Sequence, residues 1–322
     1  MIDDSTDDGL PSYHELVSRS DRPSGSSWGV WGDDDVFGSL NLLTPERVTS
    51  AAKLVRKGAV FPVNWEMELP DPPLFGRAGF THRVNWLPGR LGHDDELDGW
   101  NTQSSSQWDG FRHLRSVQHG FYSGVADAEH GVHHWARRGV VGRAVILDIA
   151  RWRSGIGRPL DMSAADPIDA EELLKVADYQ DVSLQEGDVL LIRTGWIDWY
   201  KGLDDAARKA LAGNLTTPGL RSCERTAELL WDLHVAAVAA DNPALEVYPP
   251  EIPPGSDAAD LVDVFAHMRL LPLLGIPIGE LFDLDRLAED CVTDGVWEGL
   301  FTSAPLNLRG GVASPPNALV IK

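Results

Sequence analysis

Cysteine is nearly absent: two residues, Cys223 and Cys291, in a chain of 322. That excludes a disulfide-framed scaffold and a thiolate-rich metal site. Both fall at apolar positions of expected helices, which suits buried free thiols in a reducing compartment. No apolar run approaches the ~18 residues a membrane helix needs. The opening MIDDSTDDGL has neither the basic region nor the apolar stretch of a secretory signal. The expectation is a cytoplasmic protein with no membrane partner. Basic charge is also scarce, with 28 Lys plus Arg against 49 Asp plus Glu and a formal charge of −21. Such a field repels phosphate backbones, so no nucleic-acid partner is expected. P-loop, CxxC and HExxH patterns are all missing.

What is present is enough apolar residue, 43%, for a substantial core. Residues 1–27, rich in Asp, Ser, Gly and Pro, read as a flexible arm ahead of one domain over 28–322. TPERVTSAAKLVRKG predicts a helix, capped by Thr44, with Pro45 in its first turn and Gly58 at its end. Segments 70–79 and 87–99 read as loops, the second acidic and solvated. Short Val/Ile/Leu-rich runs at 140–150, 188–196 and 236–243 predict buried strands. Between the last two, TPGLRSCERTAELLWDLH has helical spacing, with Thr217 and Pro218 as start signals. LDRLAEDCVTDG predicts a shorter helix and ALVIK a closing strand. Strands alternating with helices indicate an α/β fold.

The chemistry gathers in SSSQWDGFRHLR, residues 104–115. Asp109 and His113 lie four apart, with Gln107 and Gln103 ahead of them. Carboxylate and imidazole are the groups a metal-assisted hydrolase needs, provided further ligands converge from elsewhere. HMRLLPLLGIPIGEL offers His267 and Glu280, and Gly279 permits close backbone approach beside the carboxylate. Spacing alone also allows blander roles: Asp109–Gly110 is a common turn pair, and a histidine in an apolar segment is often a core residue. Trp108 and Phe111 are candidates to wall a pocket for a flat or apolar substrate. Asp241, at the C-terminal end of an expected strand, sits where α/β sheets place ligands, or else forms an Asx turn before Pro243. His130, His133 and His134 read as a polar helix end, and His119 lies close behind the motif.

Several segments in order, among them WGDDDVFGSLNLLTPERV, SSQWDGFRH, RRGVVGRAVILDIA, GDVLLIRTGW and HMRLLPLLGIPIGELFDLDRL, resemble the cyclase family that includes bacterial kynurenine formamidase and isatin hydrolase. Gln103, Ser105, Ser106, Gln107, Asp109, Phe111 and His113 occupy the seven specified places of the family motif H-x-G-T-H-x-D-x-P-x-H. Asp and the last His are kept, and both earlier histidines are glutamine.

The resemblance implies a swivelling β/β/α domain, a homodimer or homotetramer, and a small-molecule substrate. It implies His113 as the acid/base group and Asp109, His267 and Glu280 as ligands of one metal. The imidazole pair of a second metal is lost. The chain is therefore expected to hold one divalent cation at most, with Gln107 as a further ligand and Gln103 near substrate. An amide oxygen suits Mn²⁺ better than Zn²⁺, so manganese is preferred over zinc or magnesium. The function implied is hydrolysis of an amide, lactam, ester or lactone. The alternative is a metal-free acid–base cyclase, isomerase or dehydratase acting on a natural-product-like molecule.

Overall fold

The apolar runs at 140–150, 188–196 and 236–243 become three adjacent parallel strands, Val140–Asp148, Val189–Arg193 and Ala237–Ala240. Their side chains are buried almost throughout, as expected of a sheet covered on both faces. The computed structural model describes residues 9–252 and 264–322. Among these, nine strands form one sheet of mixed parallel and antiparallel pairs in an α/β fold. Beyond Ala237–Ala240 lie Ile278–Glu280, parallel to it, then Gln107–Asp109 and Ala313–Ser314, both antiparallel additions. On the other flank, Glu298–Ser303, Ala318–Ile321 and Val60–Pro62 extend the sheet antiparallel.

The expected helices form with shifted ends. Thr44 caps Pro45–Ala52 through the Arg47 N–H at 3.4 Å. The helix stops at Ala52, and the chain turns so that the Lys57 and Ala59 N–H groups donate to Lys322 O. The 217–234 segment is helical only over Glu224–Asp232. Thr217 and Pro218 do not start it: Gly219–Leu220 pairs with Pro167–Ile168, and Thr217 exchanges backbone hydrogen bonds with Tyr248. Asp285–Asp294 closes on Gly295, whose positive φ of 72° ends the helix.

Two segments differ from expectation more sharply. Within the stretch read as a flexible arm, Tyr13–Ser18 is a helix with a Ser12–Glu15 capping box, burying Tyr13 and Leu16. Residues 1–8 lie outside the described residues. The acidic stretch read as loop is half of a hairpin, Thr81–Trp86 against His93–Asp98. All its strand residues are exposed, so no burial alternation marks it. Cross-strand pairs Arg83–Glu96 and Arg83–Asp98 and the Trp86–His93 ring contact accompany the pairing. Both cysteines are free, Cys291 buried and Cys223 half-buried. Among the described residues no helix is long and apolar enough to cross a membrane.

Candidate active site

Antiparallel register brings the two motif regions together. Glu280 stands opposite Gln107, Gly279 opposite Trp108, and Ile278 opposite Asp109. Side chains alternate along a strand, so Gln107, Asp109 and Glu280 share one face. Gln107 Nε2 donates to Glu280 Oε2 at 2.5 Å. The serines just before this strand anchor it: Ser106 Oγ donates to Leu281 O at 2.5 Å and accepts from the Trp65 N–H at 2.6 Å.

His267 enters from the first turn of a short helix, His267–Leu270. Its Nε2 lies 3.1 Å from Glu280 Oε1 and 3.6 Å from Asp109 Oδ2. Its Nδ1 lies 2.8 Å from Glu246 Oε2. Burial disfavours its charge, but Glu246, Asp109 and Glu280 together hold its pKa well above the ordinary value. Burial also works against ionised Asp109, yet His113, His267 and Arg77 override it and lower the pKa. Glu280 moves the other way: burial, then the Asp109 charge, push it up to about 7. His113 closes the group from a turn after the strand. Gln103 Nε2 donates to Asp109 Oδ1 at 2.7 Å and lies 3.2 Å from His113 Nδ1. Burial lowers the His113 pKa despite the neighbouring Asp109.

Asp109, His267 and Glu280, all buried, each offer one ligand atom within 4.8 Å of the others. The fit to a cation is tested by what these groups leave unsatisfied. Asp109 Oδ2 and Gln107 Oε1 are buried oxygens with no hydrogen-bond partner. Most buried polar atoms have one, and a cation among these donors would satisfy both. A cavity of about 230 Å³ opens onto His113, His267, Glu246 and Glu280, and Phe75, Arg77 and Tyr248 also line it.

The sequence profile of the family described as "Putative cyclase" matches residues 56–247, more than half of the chain. The chain belongs to the cyclase family. No curated protein matches this cyclase. Among solved structures it is similar to one described as a novel cyclase, at 28% identity over 98% of this chain and all of the other, with a TM-score of 0.81. Its fold is shared by isatin hydrolase A from Labrenzia aggregata bound to benzyl benzoate, at 17% identity over 87% of this chain and 98% of the other, with a TM-score of 0.55. A second isatin hydrolase, bound to the product analogue thioisatinate, is 14% identical over 86% of this chain and 96% of the other, with a TM-score of 0.56.

The structure thus brings Gln103, Gln107, Asp109, His113, His267 and Glu280 of this cyclase into one cluster. Three expected substrate contacts lie elsewhere. Trp108 points to the opposite face of its strand, 1% exposed, packed on Phe282 and Phe301 and donating to Ser303 Oγ. Phe111 is buried against Tyr122 and Trp135. Asp241 is fully buried and accepts from the Thr194 N–H, the Thr194 hydroxyl and the Gly195 N–H, at 2.7–2.8 Å. It pins the turn after strand Val189–Arg193 and does not line the cavity. His130, His133 and His134 each contact a backbone group, at Tyr122 O, Gly310 N and Glu129 O. Glu246 and Arg77 escaped the sequence reading. Glu246 is a lone acidic residue in the apolar run ALEVY, the one signal that could have found it.

Proposed function

We propose that this cyclase is a metal-dependent hydrolase of a carboxylic acid derivative, an amide, lactam, ester or lactone. The observation that carries it is the buried Asp109–His267–Glu280 cluster with two oxygens lacking partners, Asp109 Oδ2 and Gln107 Oε1, facing an acid/base histidine. Asp109, His267 and Glu280 would hold one divalent cation, with Gln107 Oε1 as a fourth donor. A set of three oxygens and one nitrogen favours Mn²⁺ over Zn²⁺. When bound, the cation supplies Lewis acidity, polarising an acyl carbonyl and acidifying a water toward neutral pH.

The chain's own residues supply the proton transfers. Burial lowers the His113 pKa and so favours the neutral ring. It accepts the proton of the attacking water as the C–O bond forms, and gives that proton to the leaving nitrogen or oxygen as the acyl bond breaks. The products are a carboxylate and an amine or alcohol, one molecule when the substrate is cyclic. Gln103 holds Asp109 and His113 in register through one amide nitrogen.

Elemental analysis of the purified protein and of His267→Ala tests the proposal, alongside turnover of amides, lactams, esters and lactones. Stoichiometric manganese or zinc that disappears in the variant together with turnover is the expected result. Full activity in chelated, metal-free protein overturns it. One observation favours the rival acid–base cyclase, isomerase or dehydratase. Glu280 is already partnered by Gln107 and His267, and its pKa of about 7 suits proton transfer without a cation.

A further inference from the structure

The loop carrying Phe75, Gly76 and Arg77 enters the cavity from outside the acid–base cluster. Phe75 has a positive φ of 56° and Gly76 one of 68°. A bulky residue in the left-handed region is unfavourable and persists only when its surroundings impose it. Phe75 is 41% exposed, so core burial does not explain the conformation. It meets Tyr248 edge-on at 5.5 Å, and the two rings line the cavity. Arg77 Cζ lies 5.1 Å from the centroid of the Phe75 ring.

Arg77 is the only Lys or Arg among the described residues lining this cavity. Its guanidinium has five N–H donors. Among the described residues it makes one hydrogen bond, from Nη1 to Gln103 O at 2.5 Å, and no ion pair. Three arginines with little exposure are ion-paired, Arg143 with Asp188 at 3.0 Å, Arg153 with Glu172 at 2.5 Å and Arg193 with Asp285 at 2.9 Å, while half-buried Arg138 spends its donors on the Leu40 and Leu43 carbonyls. Arg77 therefore presents unused donors to the cavity beside two aromatic rings. Its charge reaches Asp109 and Glu280 without contacting either as an ion pair.

We infer that Arg77 is a specificity-determining residue that binds a carboxylate on the substrate, while Phe75 and Tyr248 hold an adjoining aromatic ring. The substrate class is an aromatic carboxylate whose hydrolysable acyl group reaches toward His113. This rests on the hydrolase proposed above for the same cavity. A planar guanidinium matches a carboxylate with two parallel hydrogen bonds, which a lysine cannot reproduce. If Arg77 served only to balance the buried carboxylates, a lysine would replace it and an uncharged ligand would bind as well as an anion.

The test compares 3-phenylpropanoate with its uncharged match, 3-phenylpropanamide, by calorimetric titration of the full chain. Titrations are run with Mn²⁺ added and after chelation, on wild type, Arg77→Gln, Arg77→Lys and Phe75→Ala. With Mn²⁺, the acid is expected to bind ~10-fold or more tighter than the amide, the usual scale of a charge-assisted pair. The preference should fall close to parity in Arg77→Gln and only partly recover in Arg77→Lys. Phe75→Ala should weaken both probes alike. Equal affinities in wild type, binding of neither probe, or a preference that survives Arg77→Gln each overturn the inference. The last result would place the anion on the cation instead. An Arg77-dependent preference in a protein that binds no metal would sink the hydrolase proposal while leaving this one standing. Metal binding with no such preference would do the reverse. Arg77→Lys keeps the charge, so it separates a lost contact from a misfolded variant.

Discussion

Glu246 Oε2 accepts both the backbone N–H and the Nδ1–H of His267, at 3.1 and 2.8 Å. One carboxylate oxygen thus fixes the backbone position and the ring orientation of the same residue. With Nδ1 committed, Nε2 is the atom turned toward Glu280 and Asp109. Metal-ligating histidines are commonly held this way, and removing the outer partner costs ~10–100-fold in affinity. Glu246→Gln should therefore weaken cation binding by that factor, measured by competition with a chromogenic chelator. Unchanged affinity would mean that Glu246 only anchors the backbone.

His113 sets the expected pH response. Burial depresses its pKa in the folded protein below the ordinary ~6.5. As pH falls through that lowered value the ring gains a proton and can no longer accept one from water. The acid limb of kcat/KM should thus lie below pH ~6.5, with the rate level from there toward neutrality. The sign for stability is the same. The contribution of neutral His113 is intact above the unfolded pKa and is lost as pH falls through the folded one. His113→Ala should cost roughly 10²–10⁴ in rate and leave the metal content unchanged. A variant with near-normal turnover removes His113 from the acid/base role.

Gln107 decides how much of a cation site remains. Its Nε2 donates to Glu280, leaving Oε1 buried without a partner. Gln107→Met keeps similar bulk and removes both functions. If Oε1 is a ligand, cation affinity should drop ~10-fold or more, a change worth about 1.4 kcal/mol. Equal affinity would leave Gln107 as a hydrogen-bonding partner of Glu280 alone.

The cluster was legible where short-range pattern and family motif coincide. Asp109 and His113 sit in one motif, and His267 and Glu280 belong to one apolar segment whose strand, Ile278–Glu280, pairs with Gln107–Asp109. Trp108 is a candidate pocket wall by its motif position, yet strand alternation in the same motif argues against it. Gln107 and Asp109 on one side of a strand require Trp108 on the other. Phe111 occupies a motif place but follows the strand into a buried aromatic group with Tyr122 and Trp135. Asp241 does lie at a strand's end, yet its oxygens are spent on Thr194 and Gly195. Arg77 was not legible, and Glu246 offered only its lone charge in an apolar run, because their roles depend on contacts distant in sequence: Glu246 meets His267, and Arg77 meets Gln103. The exposed hairpin was missed for a related reason, since polar strands on both faces carry no burial period.

Gly279 shows how closely the scaffold constrains this cluster. A Cβ there would lie 2.5 Å from Ala239 Cβ, 2.7 Å from the Phe282 ring and 3.0 Å from Trp108. The close approach is thus made by side chains and not by the expected backbone, with Gly279 paired beside Trp108 in the neighbouring strand. Gly279→Ala forces these neighbours apart, and overpacking of this kind typically costs ~1–3 kcal/mol. Glu280 is the next residue, so a displaced strand moves its carboxylate relative to His267. The variant should unfold at lower denaturant and bind the cation more weakly, whereas Trp108→Phe, which keeps the aromatic bulk, should lose stability with little change in cation affinity. Equal effects of the two substitutions on cation binding would show that the close packing at Gly279 is not what sets Glu280.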